Sequence, residues 1–122
     1  MSKKNETLVI GASLKPNRYS NIAIKRLRDN NQTTKAIGLR AGEVEDVSIE
    51  TSLKDFKNID TVTLYLNPKR QVDYYDYVIG LQPRRVIFNP GTENPDFYKM
   101  LRNNGIEVEV ACTLVLLSTN QY

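Results

Sequence analysis

The chain alternates short runs of apolar and β-branched residues with amphipathic stretches. The runs predict strands of a parallel sheet, and they cover residues 8–11, 33–39, 60–66, 84–89 and 106–111. The amphipathic stretches predict helices, and they cover about 19–30, 68–82 and 94–104. Strand and helix therefore alternate along the chain. This pattern predicts an α/β, Rossmann-like three-layer domain with a mostly parallel sheet of about five strands.

Apolar residues at helical spacing mark the expected inward faces of the helices. These residues are Ile22, Ala23 and Leu27 in the first helix, Val72, Tyr75 and Ile79 in the second, and Phe97, Met100 and Leu101 in the third. Asn67-Pro68 and Asn94-Pro95 are typical of helix starts, and Gly105 is typical of a helix stop. The helix boundaries are thus set by identifiable residues.

Three segments lie between or beyond these elements. Residues 40–50 form a loop with room for a short extra strand at 47–49. Ser52–Phe56 predicts a short helical turn capped by Ser52. The stretch CTLVLLST, 112–119, fits either a continued strand or a final helical turn, and its periodicity does not decide between them.

The length of 122 residues predicts one domain covering residues 1–122. With 40% apolar and 25% charged residues the chain has the composition of a folded domain. Cys112 is the single cysteine, which favours a reducing compartment. No apolar run approaches the ~18 residues of a membrane span, and the polar start MSKKNE does not resemble a signal peptide. We therefore expect a cytoplasmic protein that does not contact a membrane.

Charge and residue types narrow the possible functions. The chain has no histidine, which excludes Ser-His-Asp and Cys-His triads and histidine metal sites and disfavours proton-transfer chemistry. The net charge of +3 suits an anionic ligand, although it also serves solubility alone. Basic residues lack the recognition patterns of nucleic-acid binders, so we expect no nucleic-acid partner.

The loop after the first strand carries the first candidate chemistry. Gly11 permits a tight turn at the strand end, and the following helix start favours phosphate. Lys15 and Arg18 add positive charge, while Ser13 and Ser20 offer hydroxyl groups. The dinucleotide pattern with three glycines is absent, so a pyrophosphate pressed against the backbone is less well supported. The alternative is a plain tight turn with Ser20 as a helix cap.

The end of the second strand reads Gly38-Leu39-Arg40. NAD enzymes usually place a carboxylate there for the ribose, but none occurs before Glu43. Arg40 instead suits a ribose phosphate, which NADP carries at the 2′ position and coenzyme A at the 3′ position. A solvated surface arginine is the alternative.

The loop NPGTENP follows the fourth strand and is rich in turn residues. Pro90-Gly91 predicts a type II turn, with Gly91 supplying the positive φ. Glu93 is placed to accept hydrogen bonds from amide or hydroxyl groups of a ligand. A simple connector that ends at the Asn94 cap explains the loop equally well.

Several motifs together resemble the small stand-alone CoA-binding proteins, which are similar to the CoA-binding domain of the succinyl-CoA synthetase α subunit. The motifs are GASLKPNR, the NP after the third strand, NPGTEN before the last helix, and a cysteine after the fifth strand. The resemblance implies that Gly11–Ser20 is the phosphate loop and that Asn67-Pro68 and Pro90-Gly91-Glu93 line the same cleft. It also implies non-enzymatic binding of coenzyme A or an acyl-CoA. The family usually has Val-Asn-Pro where this chain has Gly38-Leu39-Arg40.

The cofactor-binding residues predicted in this way are Gly11, Ala12, Ser13, Lys15, Arg18, Ser20, Arg40, Asn67, Pro68, Pro90, Gly91 and Glu93. No catalytic or metal-ligating residue is predicted. Cys112 fits a small buried apolar residue, or a thiol able to form a mixed disulfide with CoA. Two other functions stay open: an NADP-dependent reductase, and a regulatory protein with a degenerate site that acts through a homodimer or protein partner.

Overall fold

A seven-stranded open sheet forms the middle layer of the protein, for which a computed structural model describes residues 4–122. The strands are β1 (Glu6–Ala12), β2 (Thr34–Gly38), β3 (Gly42–Val44), β4 (Val47–Glu50), β5 (Ile59–Leu64), β6 (Arg85–Phe88) and β7 (Glu107–Val110). Their order is β3-β4-β2-β1-β5-β6-β7. Only the β3–β4 pair is antiparallel among these strands. The predicted Rossmann-like, mostly parallel architecture is confirmed, with two more strands than expected.

Five helices cover the two faces of this sheet in the described part of the chain. They are α1 (Tyr19–Asp29), α2 (Pro68–Gln71), α3 (Tyr75–Leu81), α4 (Pro95–Asn103) and α5 (Thr113–Ser118), and a 3₁₀ turn at Val72–Tyr74 joins α2 to α3. The stretch CTLVLLST thus ends in a helix, α5, with Leu116 and Leu117 buried. Gly105, with φ of 73°, ends α4 as predicted, and the Ile106 N–H donates to the Leu101 carbonyl oxygen.

The two additional strands make a hairpin in the region predicted as a loop. β3 and β4 pair with Val44 opposite Val47, and both side chains are buried. Glu45 lies at the turn with a positive φ of 55°, a conformation that glutamate rarely adopts. Arg28 of α1 holds the turn through hydrogen bonds of 2.7 and 2.8 Å to the Asp46 carboxylate. The short strand offered at 47–49 is thus confirmed as β4, whereas β3 and the turn at Glu45 were not predicted.

Two helical predictions are wrong. Ser52–Phe56 forms no helix; it is an irregular connection held by the Tyr77 hydroxyl, which donates to the Lys54 carbonyl oxygen at 2.5 Å. Val72 does not point inward, since it is 57% exposed. The 3₁₀ turn at Val72–Tyr74 changes the helical phase, so Val78 and Leu81 become the buried positions of α3.

Because successive side chains of β1 point to opposite faces of the sheet, the strand contributes to an apolar core on each face. Leu8 and Ile10 pack with residues of α3 and α4, including Val78 and Phe97. Val9 instead packs with Ile24 of α1 and other residues on the opposite face. Such burial on both faces is what fixes the register of a central strand. The carboxyl ends of β1, β2, β5 and β6 consequently lie side by side at one edge of the sheet.

Candidate functional site

A cavity of about 860 Å³ lies at the carboxyl ends of these strands. Its volume is within the range of ligand pockets, roughly 300–1,000 Å³. Its lining residues lie at the ends of β1 and β2 and in the segments that follow β1, β2, β5 and β6, including the first turns of α1 and α2. They are Gly11, Ala12, Ser13, Leu14, Lys15, Arg18, Tyr19, Ser20, Gly38, Leu39, Arg40, Tyr65, Leu66, Asn67, Arg70, Tyr74, Pro90, Gly91 and Thr92.

A bulge at the end of β1 opens the first loop. Gly11 has φ of 92°, and the pairing of β1 with β2 shifts register between Ile10 and Ala12. A Cβ at Gly11 would lie 3.0 Å from both the Leu66 side chain and the Tyr65 carbonyl carbon. Glycine is therefore required here for its conformation and for the close approach of the loop that follows β5.

The bulge also explains the unusual end of the second strand. A Cβ at Gly38 would lie only 2.3 Å from the Ala12 carbonyl oxygen, so the end of β1 packs directly against the end of β2. A Cβ at Gly42 would lie 2.7 Å from a methyl carbon of Leu14. Leu14 of the first loop therefore packs against Gly42 of the β3–β4 hairpin. Leu39 and Arg40 follow Gly38 as exposed residues at the cavity rim.

The first loop has a hydrogen-bonded structure of its own. The Lys15 N–H donates to the Ser13 hydroxyl oxygen at 3.1 Å, and the Arg18 N–H donates to the Lys15 carbonyl oxygen at 3.1 Å. The buried Asn21 amide donates to the Ser13 carbonyl oxygen at 2.9 Å. These bonds fix the loop backbone while the side chains of Lys15 and Arg18 remain exposed at the cavity.

The start of α1 is open toward the cavity. Arg18, rather than Ser20, occupies the N-cap position, and its side chain makes no capping hydrogen bond. Ser20 lies in the first turn, is buried and lines the cavity. The first turn contains no acidic residue. Its leading N–H groups have no partner within the helix, and the helix dipole there favours an anion.

A buried glutamine joins the loops after β5 and β6. The Gln71 amide donates to the carbonyl oxygens of Leu66 and Thr92, both at 2.8 Å. Its own oxygen accepts from the Asn94 amide at 2.9 Å. Asn67 caps α2 as predicted, since its side-chain oxygen accepts from the Arg70 N–H at 3.0 Å. The far wall of the cavity is therefore a rigid unit.

The third loop contains the predicted turn. Gly91 has φ of 93°, and the Thr92 N–H donates to the Asn89 carbonyl oxygen at 3.0 Å. The Glu93 carboxylate accepts from the Gly91 N–H at 2.9 Å, so it stabilises the turn. Glu93 lies outside the cavity lining, although it was expected to face a ligand. Pro68 also lies outside the lining, as the first residue of α2.

The other predicted residues all line the cavity. Residues that the sequence analysis did not select as binding residues line it as well: Leu14, Tyr19, Gly38, Leu39, Tyr65, Leu66, Arg70, Tyr74 and Thr92. Several of these are large apolar or aromatic residues that remain exposed, such as Tyr19 and Leu39. Arg70 could have been found from its position three residues after the Asn67 cap.

The charges of the cavity are of one sign. Its lining contains Lys15, Arg18, Arg40 and Arg70, and it contains no aspartate or glutamate. None of these cations takes part in an ion pair within residues 4–122. In the same residues no three His, Cys, Asp or Glu side chains converge as metal ligands. The cavity is thus suited to a ligand with several negative charges.

A polar cluster lies beneath the cavity floor. Burial raises the pKa of Tyr65 to about 12, although the neighbouring hydroxyls of Thr113 and Thr63 act in the opposite direction. Those two hydroxyls bond to each other at 2.8 Å, and the Tyr65 hydroxyl has no hydrogen-bond partner in the described chain. Because of this high pKa, Tyr65 is a neutral phenol at ordinary pH.

Cys112 is half-buried at the start of α5 and is not part of the cavity lining.

The fold and the cleft define a Rossmann-like, nucleotide-binding class of domain. A family model described as CoA binding domain matches residues 5–118. The chain therefore belongs to the CoA binding domain family, as its motifs had suggested. A search of curated proteins gave no match.

Solved structures support the same fold. A crystal structure described as that of an uncharacterized protein is 40% identical, with a TM-score of 0.94, and the match covers 99% of this chain and 100% of that chain. A hypothetical protein from Pyrococcus horikoshii OT3 is 25% identical, with a TM-score of 0.85 and coverage of 95% and 83%. Cell-free ID.343 from Thermus thermophilus is 24% identical, with a TM-score of 0.83 and coverage of 97% and 91%, and is similar in fold alone.

No helix within residues 4–122 has the length and apolar character needed to cross a membrane.

Proposed function

We propose that the protein binds coenzyme A or an acyl-CoA in this cleft without catalysing a reaction. The observation that carries the proposal is a cavity with unpaired cations, and with no carboxylate in its lining, beside the bulged loop of a CoA binding domain. Coenzyme A fits this chemistry because it combines a negatively charged diphosphate with a ribose phosphate. The ribose phosphate is a monoester and carries about −1.5 to −2 charges. When bound, it would supply a thiol that carries an acyl group.

Lys15, Arg18 and the first turn of α1 would hold the diphosphate. They lie together on one loop, where side-chain charge and helix N–H groups reinforce each other. Arg40 would pair with the 3′-phosphate at the end of β2. The exposed apolar surface of Tyr19 and Leu39 offers a neighbouring place for the adenine ring.

Arg40 also gives a second candidate, an NADP-dependent reductase, since the same guanidinium suits a 2′-phosphate. The cavity lining has no histidine or carboxylate for proton transfer. The sequence has one Tyr-x-x-x-Lys spacing, Tyr65 to Lys69, but Lys69 does not line the cavity. NAD is disfavoured because no carboxylate of the lining is available for its ribose hydroxyls.

We also propose a cytoplasmic location, based on the single cysteine.

Binding calorimetry with CoA, 3′-dephospho-CoA, NADP, NAD and ADP tests the proposal. We expect CoA to bind best and the loss of its 3′-phosphate to weaken binding about tenfold, the size of one charge-assisted contact. The double variant Lys15→Ala plus Arg18→Ala should weaken CoA binding at least tenfold. Lys25→Ala plus Arg26→Ala removes the same charge from residues outside the cavity lining, so it should leave binding nearly unchanged.

Other outcomes would redirect the interpretation. Preferential binding of NADP, with hydride transfer to a carbonyl substrate, would favour the reductase. Absence of binding by every nucleotide would refute the proposed function and favour a regulatory protein with a degenerate site. In that case a pull-down and a measurement of oligomeric state would look for a protein partner or a homodimer.

A further inference from the structure

Arg70 is a cation on the opposite side of the phosphate loop from Arg40. β2 and β5 flank β1, and because neighbouring strands lie about 4.8 Å apart, their ends are separated by roughly 10 Å. Arg40 follows the end of β2, whereas Arg70 follows the end of β5 on α2. The cavity therefore has positive charge at both ends, with Lys15 and Arg18 on the loop between them.

The backbone of Arg70 is firmly held although its side chain is exposed. Its N–H donates to the Asn67 side-chain oxygen at 3.0 Å. The next residue, Gln71, is buried and bonded to the carbonyl oxygens of Leu66 and Thr92. No acidic side chain within residues 4–122 forms an ion pair with Arg70. The Arg70 side chain therefore projects from a well-held backbone position and lines the cavity without a competing carboxylate.

Under the proposed function, the phosphates of coenzyme A lie along Lys15, Arg18 and Arg40. The remaining part of the ligand is an uncharged arm that ends in the thiol, and in this arrangement it would extend toward the loops after β5 and β6, which line the rest of the cavity. The amide and hydroxyl groups of such an arm can accept hydrogen bonds, but the arm has no anion that would pair with Arg70. A guanidinium pairs best with a planar, two-oxygen anion such as a carboxylate.

We propose that this end of the cleft selects acyl-CoA thioesters whose acyl chain ends in a carboxylate. Arg70 would bind that carboxylate, and the half-buried Tyr74 beside it would form the wall along the acyl chain. This inference rests on the proposed function and adds the class of acyl group to it. It makes Arg70 a specificity residue and not a phosphate-binding residue.

The test compares thioesters that differ only in the terminal carboxylate. Glutaryl-CoA is paired with pentanoyl-CoA, and malonyl-CoA with propionyl-CoA, and each dissociation constant is measured by calorimetry. For the unaltered protein we expect the carboxylated member of at least one pair to bind about five- to tenfold more tightly. Arg70→Gln should reduce this ratio to about one.

Lys69→Gln is the matched control, since Lys69 is an exposed cation of the same helix that does not line the cavity. It should preserve the ratio. Equal binding within both pairs, or a ratio unchanged in Arg70→Gln, would overturn the inference and leave the proposed function intact. Equal weakening of every thioester and of free CoA by Arg70→Gln would overturn it too, because Arg70 would then serve the phosphates. Failure of every thioester and of free CoA to bind would refute both proposals together, whereas binding of free CoA alone would overturn only this inference.

Discussion

Gly38 shows how one residue adapts a strand end to the loop above it. The Ala12 carbonyl oxygen occupies the space that any side chain at position 38 would need. That oxygen is brought there by the bulge at Gly11, whose positive φ bends the end of β1. The loop after β1 and the end of β2 therefore form one packed unit.

We predict that Gly38→Ala destabilises the protein by about 1–3 kcal/mol, the usual cost of forcing an extra group into a packed site. Urea denaturation followed by circular dichroism measures the change. Gly80→Ala is the control, because no atom lies within 4 Å of the added carbon and the residue is part of α3. Alanine should stabilise that helix by about 0.5–1 kcal/mol. Equal stability of Gly38→Ala and the unaltered protein would refute the close contact.

At the scale of elements, strands and helix ends were largely predictable. Apolar runs identify buried strands, and the Asn67 and Asn94 caps and the Gly105 stop mark helix ends through local hydrogen bonds. The β3–β4 hairpin was not predictable as a whole, because its turn uses Glu45 in a conformation that glycine or asparagine usually signals. The phase change at Val72–Tyr74 likewise depends on tertiary packing.

The pairing of β5 with β6 leads to a prediction about pH. Burial alone would raise the pKa of Asp60, but hydrogen bonds from Arg84 and Thr61 and the charge of Arg84 outweigh it, so the pKa lies below its ordinary value. Arg84 donates to both carboxylate oxygens, at 2.9 and 3.0 Å. The unfolded chain therefore binds this proton more readily than the folded protein, and the stabilisation is lost as the pH falls below about 4.

Asp60→Asn should remove part of this loss, so its melting temperature should fall less steeply than that of the unaltered protein between about pH 4 and pH 2. Calorimetric scans across this range measure the slope. Arg84→Gln should flatten the slope in the same way, because it removes the partner that favours the carboxylate. An unchanged slope in both variants would mean that the ion pair does not contribute to acid stability.

At the scale of the whole molecule, the sequence indicated which loops meet at the cleft, but not which of their residues line the cavity and which stabilise the loops. Strand order places the ends of β2, β1, β5 and β6 together, so Lys15, Arg18 and Arg40 converge as expected. Glu93 was placed in the cleft on its loop position, whereas the structure uses its carboxylate within the turn. Arg70 was not selected, although it lies three residues after the Asn67 cap, because the sequence alone does not show that the start of α2 lines the cavity.

The most direct measurement of cofactor binding is a titration of the ¹⁵N-labelled protein with CoA, followed by amide chemical shifts. We expect saturable shifts at residues 11–20, 38–40, 66–70 and 91–92, where the cavity is lined. Residues of the separate groove between α1 and α5, such as Asn30 and Val115, should not respond. Absence of shifts at millimolar CoA, or shifts confined to that groove, would mean that the cleft is not a CoA site.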